Sequence, residues 1–215
     1  MPRSSASWLR LCLTGGLACG KSLVGAFLRR RGVPVIEADD VCHDLLRVGT
    51  PQFAKVVAAF GRTILGSDGA IDRGALGARV FGDPAALAQL NALLHPAAQA
   101  AIAAWVTARC AEARAGRAAL WRGGAVAIIP LVYEVGWESA WDRIICVGAP
   151  PAVQRERLRA KGFGVKEIQD RLAAQWPVEE KMKRADYVIF NSGNEECARQ
   201  QTVQVMQQVE NSNGR

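Results

Sequence analysis

The sequence has no apolar run of the length that a transmembrane helix needs, which is about 20 residues. Its longest apolar stretch, Ala125–Val135, is interrupted by Pro130. The N-terminal segment Met1–Trp8 is short and polar, and no signal-peptide core follows it. These absences predict a cytoplasmic protein that has no membrane partner.

Clustered metal ligands are also missing. The chain has 2 histidines, His43 and His95, and 6 scattered cysteines without a Cys-x-x-Cys pair, whereas zinc sites draw on closely spaced cysteines and histidines. Several of the cysteines stand in apolar runs, as small buried hydrophobic residues do. The sequence therefore predicts reduced thiols and no zinc centre.

The charge is unbalanced, but its pattern does not point to nucleic acid. The chain has 27 Lys and Arg against 20 Asp and Glu, a net charge of +7, which favours anionic partners. The basic residues are dispersed, are densest between Arg155 and Lys166, and lack the regular interleaving of aromatic side chains that stack on bases. We therefore expect a polyphosphate metabolite and no nucleic acid. The alternative is a basic nucleic-acid-binding module with a degenerate phosphate loop.

The sequence does contain a glycine-rich loop, Gly15–Ser22, that fits the pattern G-x-x-x-x-G-K-[ST]. It follows the apolar run Leu9–Leu13 and precedes a helix-like stretch, Leu23–Arg31. Glycines let backbone N–H groups converge on an anion, and the following helix adds its positive N-terminal end. Lys21 is expected to reach the β- and γ-phosphates, and Ser22 to help hold Mg²⁺. The loop therefore predicts a nucleoside-triphosphate site.

One residue of this loop carries a separate hypothesis. Cys19 lies close to Lys21 in the sequence, and a nearby positive charge favours a thiolate. We therefore expect the Cys19 thiolate to be favoured, with redox control through this residue as the hypothesis.

Five short segments are almost continuously apolar, which is typical of parallel strands covered on both faces. They are Leu9–Leu13, Val33–Glu37, Ala125–Leu131, Arg143–Val147 and Tyr187–Phe190. Helical patterns alternate with them, so the predicted fold is a doubly wound, five-stranded α/β sheet with right-handed crossovers. Its ligands are expected at the carboxyl ends of the strands, where the glycine-rich loop lies.

Two connections are longer than a crossover helix requires. The first is predicted to form a helical domain over residues 41–119, and the second a basic lid over residues 151–184. Their helical candidates are Asp44–Arg47, Phe53–Phe60, Leu87–Leu94, Ala97–Ala115, Gln154–Lys161 and Lys166–Gln175. The nucleotide-binding core is predicted over residues 1–40, 120–150 and 185–209, and the polar tail 210–215 is expected to be disordered.

The chemistry predicted for the loop is that of a small-molecule kinase. The sequence has no N-K-x-D guanine motif, and no strand ends in the Asp-Glu pair of motor ATPases. A kinase needs a group that receives the proton of the acceptor hydroxyl or orients that hydroxyl. Asp39 is the candidate, because it follows Glu37 at the carboxyl edge of the second predicted strand. The alternative is that this acidic cluster only caps the following helix.

Motifs along most of the chain resemble those of the dephospho-CoA kinase family. In chain order they are Leu13-Thr14-Gly15-Gly16, Val35–Asp39, Phe60-Gly61, Asp68–Arg73, Leu76, Val80-Phe81, Leu90–Pro96, Pro130-Leu131 with Glu134, Gln154 with Arg157, and Ala185–Asn191. The resemblance implies ATP-dependent phosphorylation of the ribose 3′-hydroxyl of dephospho-CoA, the last step of coenzyme A synthesis. It also implies a phosphate-loop kinase core, a CoA-substrate domain in the first insertion and a lid in the second.

The same resemblance implies roles for individual residues. Those placed around the ATP phosphates are Ala18, Cys19, Gly20, Lys21, Ser22 and Leu23, with Asn191 near the adenine. Asp39 becomes the base or hydroxyl-orienting carboxylate, and Arg157 neutralises charge on the transferring phosphoryl group. Thr14, Arg73 and His95 are implied on the substrate side. Mg²⁺ is the implied cofactor, held with the help of Ser22.

Some of these assignments have alternatives. Asp72-Arg73 also fits a helix cap with an ion pair, and His95 before Pro96 also fits the end of a helix. Glu37 stands where the family commonly has Asp. Lys161 stands where the family often has Arg, so a bidentate contact is lost in the lid. The rival function is another metabolite kinase, acting on a nucleoside monophosphate; the sequence makes no prediction of oligomeric state.

Overall fold

The computed structural model describes residues 8–80, 82–114, 121 and 123–212. Predictions that fall on other residues lie outside this description: the polar start of the chain, Phe81 of the family motif, the end of the first insertion from Ala115, and residues 213–215 of the tail. The chain divides into two compact units, one formed by residues up to Ile36 and from Val106 onward, the other by Glu37–Trp105. The second unit covers much of the insertion predicted over residues 41–119.

Strands and helices alternate along the first unit, and the second unit is helical. The strands are β1 Leu9–Gly15, β2 Val35–Glu37, β3 Gly124–Ile128, β4 Arg143–Gly148 and β5 Tyr187–Phe190. The α-helices are α1 Lys21–Arg30, α2 Ala38–Leu45, α3 Pro51–Phe60, α4 Arg73–Val80, α5 Pro84–Arg114, α6 Pro151–Ala160, α7 Val165–Ala173, α8 Val178–Arg184 and α9 Glu195–Ser212. Over the described ranges, none of these helices has the length and apolar character needed to cross a bilayer.

The strands form one 5-stranded sheet in the order β2-β3-β1-β4-β5. β1 pairs in parallel with β3 on one side and with β4 on the other, and β5 pairs in parallel with β4. The predicted doubly wound parallel sheet is therefore confirmed. Because β1 is the central strand, with Gly15 beside Val147 of β4, the chain enters the glycine-rich loop from the middle of the carboxyl edge.

Apolar side chains from the helices cover this sheet. Val24 and Leu28 of α1, together with Val205 and Val209 of α9, join the strand residues in one buried cluster. Each such side chain contributes about 1.5–3 kcal/mol when it is fully buried. β3 is buried at every position, which explains why its sequence is continuously apolar rather than alternating.

The third strand is shorter than predicted. It ends at Ile128 rather than at Leu131. Ile129 still donates its N–H to the carbonyl of Leu13 at 2.9 Å, but Pro130 has no N–H with which to continue the ladder. The chain turns there, at the carboxyl edge of the sheet.

The helix α5 is continuous, so the prediction of two separate helices on either side of Pro96 is wrong. Proline removes one backbone hydrogen bond, but the surrounding alanine-rich sequence has high helix propensity. A stripe of buried residues at four-residue spacing continues across the proline: Leu90, Leu94, Ala98, Ile102 and Val106. His95 therefore lies inside a helix and not at the end of one.

Two further helices differ from their predicted bounds. α2 begins at Ala38 and ends at Leu45, whereas the predicted helix was Asp44–Arg47, because the chain turns helical directly after β2. α9 continues to Ser212, so residues 210–212, which were expected to be disordered, are helical. The buried positions of α9, which include Thr202 and Val209, anchor the helix, and the polar residues complete its last turn. The predicted lid helices are present as α6 and α7.

The second unit has its own apolar core, to which Phe60, Ile64 and Leu76 contribute. Its helices begin at recognisable caps. Thr50 accepts the N–H of Phe53 at 3.0 Å before α3. Asp72 accepts the N–H groups of Gly74 at 2.8 Å and Ala75 at 3.2 Å, so the capping interpretation of Asp72 is confirmed.

Candidate active site

The glycine-rich loop connects the carboxyl end of β1 to the N-terminus of α1. Gly15 has a φ of +147°, and a Cβ there would clash with the backbone carbonyl of Val147. Gly20 has a φ of +102°, and a Cβ there would clash with the side-chain amide of Asn191. Glycine is therefore required at both positions, for conformational and for steric reasons.

Lys21, the first residue of α1, folds its side chain back over the loop. Its Nζ donates to the carbonyl of Gly15 at 3.0 Å and to that of Gly16 at 2.8 Å. Ser22 follows it and is exposed. An ammonium group, a hydroxyl and a helix N-terminus thus meet at one loop, which is the arrangement that binds a phosphate chain.

Cys19 does not have the environment predicted for it. Its side chain is 0 % exposed. Burial raises the pKa of this thiol, and the positive charge of Lys21 only partly offsets that effect. The expectation of a favoured Cys19 thiolate is therefore wrong: near neutral pH the group is a neutral, buried thiol.

Arg157 and Asn191 hold the loop from two other elements. Arg157 on α6 donates from Nη1 to the carbonyl of Ala18 at 3.1 Å and from Nη2 to Asn191 Oδ1 at 3.1 Å. Asn191, which directly follows β5, donates from Nδ2 to the carbonyl of Cys19 at 2.9 Å. Ala18 itself has a φ of +57°, which is unusual for a residue with a Cβ. The structure therefore brings Arg157, Asn191 and the loop together, and the predicted proximity of Asn191 to adenine stays a prediction.

A second group of polar side chains lies where β1 and β3 end. The hydroxyl of Thr14, which is fully buried, donates to the carbonyl of Pro130 at 3.2 Å. The same carbonyl accepts from Lys181 Nζ at 2.9 Å, and Lys181 also contacts Glu134 Oε1 at 2.6 Å. Thr14 is therefore held in this buried group, and its predicted place on the substrate side stays a prediction.

Lys181 was not predicted as a site residue. A lysine in the charged sequence of α8 is usually exposed, yet this side chain is 0 % exposed. The sequence signal that could have revealed its burial is its spacing from three apolar residues, Val178, Met182 and Ala185. Residues three and four apart share one face of a helix.

Three predicted site residues lie in the second unit. Asp39 is exposed in the first turn of α2, not on a continuation of β2, and a carboxylate there interacts favourably with the helix N-terminus. Arg73 is exposed at the start of α4. His95 is half-buried inside α5, and burial lowers its pKa, so the imidazole is neutral at neutral pH.

The sequence relatives of the chain decide its family. The sequence profile of the dephospho-CoA kinase family matches residues 9–196. The chain belongs to the dephospho-CoA kinase family. A dephospho-CoA kinase from Anaeromyxobacter dehalogenans is 47% identical over 186 residues, which cover 86% of this chain and 84% of that relative. One from Geobacillus kaustophilus is 40% identical over 204 residues, 93% of this chain and 96% of the relative.

Solved structures give the same result. A dephospho-CoA kinase from Campylobacter jejuni has a TM-score of 0.62 at 25% identity, and the match covers 94% of this chain and 98% of that one. A protein from Thermus thermophilus has a TM-score of 0.74 at 28% identity, with 94% and 97% of the two chains covered. The phosphate-loop kinase fold of the dephospho-CoA kinase family is therefore the fold of this chain.

The two departures from the dephospho-CoA kinase pattern have defined places. Glu37 is the residue that precedes α2, with an extended backbone at φ −109° and ψ 129°. Lys161 directly follows α6 and is exposed.

Proposed function

We propose that this protein transfers the γ-phosphoryl group of ATP to the ribose 3′-hydroxyl of dephospho-CoA, producing coenzyme A and ADP. The observation that carries the proposal is the match to the dephospho-CoA kinase family over residues 9–196, and the glycine-rich loop between β1 and α1 supports it. A kinase on a metabolic acceptor also accounts for the basic net charge of +7.

The donor phosphates would bind at the loop. The backbone N–H groups after Gly15 and the N-terminus of α1 supply oriented donors, and the Lys21 ammonium supplies a positive charge. Leu23, the third residue of α1, directly follows the glycine-rich loop. Arg157 would contribute its guanidinium to the charge that builds on the transferring group, since it already contacts the loop carbonyl of Ala18 at 3.1 Å.

Mg²⁺ fits this site through Ser22. Within the described ranges, no group of 3 or more His, Cys, Asp and Glu residues could hold a metal ion. Magnesium in kinases is bound by one or two protein ligands together with water and the phosphates of the nucleotide, so an exposed hydroxyl at the start of α1 suits it. When bound there, the ion would neutralise charge on the β- and γ-phosphates.

Asp39 is the proposed base or hydroxyl-orienting group. The oxygen of the 3′-hydroxyl attacks the γ-phosphorus, its proton passes to the Asp39 carboxylate, and the bond to the bridging oxygen of ADP breaks. The carboxylate stands in the first turn of α2 and is exposed to solvent, so a substrate can reach it. The residues proposed to lie on the substrate side are Thr14, Arg73 and His95. The cytoplasm is the proposed location of the protein.

An acceptor panel tests the proposal. ADP formation from ATP and Mg²⁺ is measured with dephospho-CoA, with AMP, CMP and UMP, and with no acceptor. The proposal predicts ADP formation that depends on dephospho-CoA and little with the nucleoside monophosphates. Turnover of a nucleoside monophosphate, with dephospho-CoA inert, would support the rival kinase instead. Steeply salt-dependent binding of DNA or RNA without ATP turnover would support the nucleic-acid-binding alternative.

A further inference from the structure

A buried ion pair joins the segment after β3 to helix α8. Lys181 Nζ lies 2.6 Å from Glu134 Oε1, and the two side chains are 0% and 14% exposed, respectively. Lys181 belongs to α8, which follows the lid helices α6 and α7 in the chain. Glu134 lies in the turn that follows β3, past Pro130.

Each side chain of the pair also forms a hydrogen bond with the backbone: Lys181 with the segment after β3, and Glu134 with the connection before α8. Lys181 Nζ donates to the carbonyl of Pro130 at 2.9 Å. Glu134 Oε1 accepts the N–H of Trp176 at 2.9 Å, and Trp176 lies in the short connection between α7 and α8. Thr14, just before the phosphate loop, donates to the same Pro130 carbonyl at 3.2 Å. One continuous set of hydrogen bonds therefore runs from the end of β1 to Trp176 and helix α8. We call Trp176 and α8 the base of the lid.

Packing contacts follow the same path. A Cβ placed on Gly16 of the phosphate loop would lie 3.0 Å from the Cβ of Val178, the first residue of α8. The Trp176 ring stacks on Tyr133 with centroids 6.1 Å apart and planes at 10°, and the Arg184 guanidinium lies 4.7 Å from the Trp176 ring centroid. The base of the lid therefore packs directly against the glycine-rich loop, through Val178.

Stability is a poor explanation for this arrangement. Buried ion pairs lose solvation when they form and are often no more stabilising than apolar residues of similar volume. The second carboxylate oxygen of Glu134 is buried and has no hydrogen-bond partner among the described residues, which adds to that cost. The pair does, however, fix two backbone segments at defined distances.

We propose that Glu134 and Lys181 are positioning residues for phosphoryl transfer: they hold the base of the lid against the phosphate loop, so that Arg157 and the loop keep the geometry that transfer requires. The inference rests on the proposed kinase function. It assigns to the pair an effect on the rate of the transfer step rather than on the affinity for ATP, because misplacement of catalytic groups by about 1 Å costs up to about a hundredfold in rate.

The test is a double variant, Glu134→Gln with Lys181→Met, which removes both charges and so leaves neither one buried alone. The matched control is Glu180→Gln with Lys183→Met, which removes an exposed pair of the same residue types on α8, 2.7 Å apart. We expect the Glu134/Lys181 double variant to lose about tenfold or more in kcat, with KM for ATP within about threefold of the unmodified protein. The control variant should keep both values.

Thermal unfolding and the number of ATP sites, measured by titration, accompany the kinetics. The proposal predicts a melting temperature close to that of the unmodified protein and one ATP site per chain in the double variant. An unchanged kcat per ATP site would overturn the proposal, and so would a double variant that does not fold, since the pair would then serve the fold. Failure of the proposed function is separate: the unmodified protein would not use dephospho-CoA, and the comparison would be made with the acceptor that it does use.

Discussion

The guanidinium of Arg157 and the side-chain amide of Asn191 are hydrogen-bonded at 3.1 Å, and each donates to a neighbouring carbonyl of the phosphate loop, Ala18 at 3.1 Å and Cys19 at 2.9 Å. The loop is therefore held by α6 from one side and by the end of β5 from the other. Because α6 belongs to the predicted lid, loop geometry and lid geometry are linked through one arginine.

This link predicts that a positive charge alone is not enough at position 157. Arg157→Lys keeps the charge but replaces a planar fork with a point charge that cannot make both hydrogen bonds. We expect kcat to fall by about tenfold or more, as for the loss of a hydrogen bond to a charged group. Arg155→Lys, an exposed neighbour on the same helix, should leave the steady-state kinetics unchanged. Equal effects of the two substitutions would contradict the role of Arg157.

The second prediction concerns the proposed base. Asp39→Asn removes the proton acceptor with little change in shape, so we expect phosphoryl transfer to fall by about a hundredfold or more while ATP binding persists. Asp40→Asn is the matched control, because Asp40 is the adjacent exposed carboxylate in the first turn of α2. Turnover is measured as ADP formed and ATP binding by titration calorimetry. Unchanged turnover of Asp39→Asn removes Asp39 from the mechanism.

The third prediction follows from the pKa of Cys19. Burial raises that pKa, so less thiolate is present at neutral pH and alkylation is slow. Cys197 is exposed and should react first with iodoacetamide. Peptide mass spectrometry after graded exposure should find Cys197 alkylated at least about tenfold faster than Cys19. Comparable rates at the two positions would show that the Cys19 thiol is accessible and restore the redox hypothesis.

The fourth prediction concerns the steric requirement at Gly15. Gly15→Ala places a methyl group against the Val147 carbonyl, in addition to the strain of the positive φ, so we expect a loss of at least about 2 kcal/mol in the free energy of unfolding and weaker ATP binding. Gly162 has a φ of +87°, but a Cβ there would have no atom within 4 Å. Gly162→Ala therefore isolates the backbone strain from the steric clash. It should cost about 1 kcal/mol and leave ATP binding intact. Urea unfolding and ATP titration of both variants decide between the two causes.

The sheet and the loop could be predicted because their signals are local. Each strand is a short, continuously apolar segment, and the glycine-rich loop has fixed spacing between an apolar run and a helix. Both features depend on neighbours in the sequence, so the parallel sheet and the place of the loop at its carboxyl edge could be predicted from parallel-sheet rules.

The failures depend on burial, which a local pattern does not contain. Position alone suggested that Lys21 lowers the pKa of Cys19, but the thiol is fully buried and burial dominates. Pro96 suggested a helix end, but a buried stripe carries α5 through it. Lys181 was not predicted as a site residue, because its partners Glu134 and Pro130 come from a segment far away in the sequence.

Phosphorylation of dephospho-CoA by this chain is best measured through the identity and amount of the product. Purified protein is incubated with ATP, Mg²⁺ and dephospho-CoA. The two products, ADP and coenzyme A, are then quantified by liquid chromatography with mass spectrometry. The proposed function predicts coenzyme A, phosphorylated at the ribose 3′ position, in equal amount to ADP. ADP formed without coenzyme A, or no ADP formed at all, would contradict it.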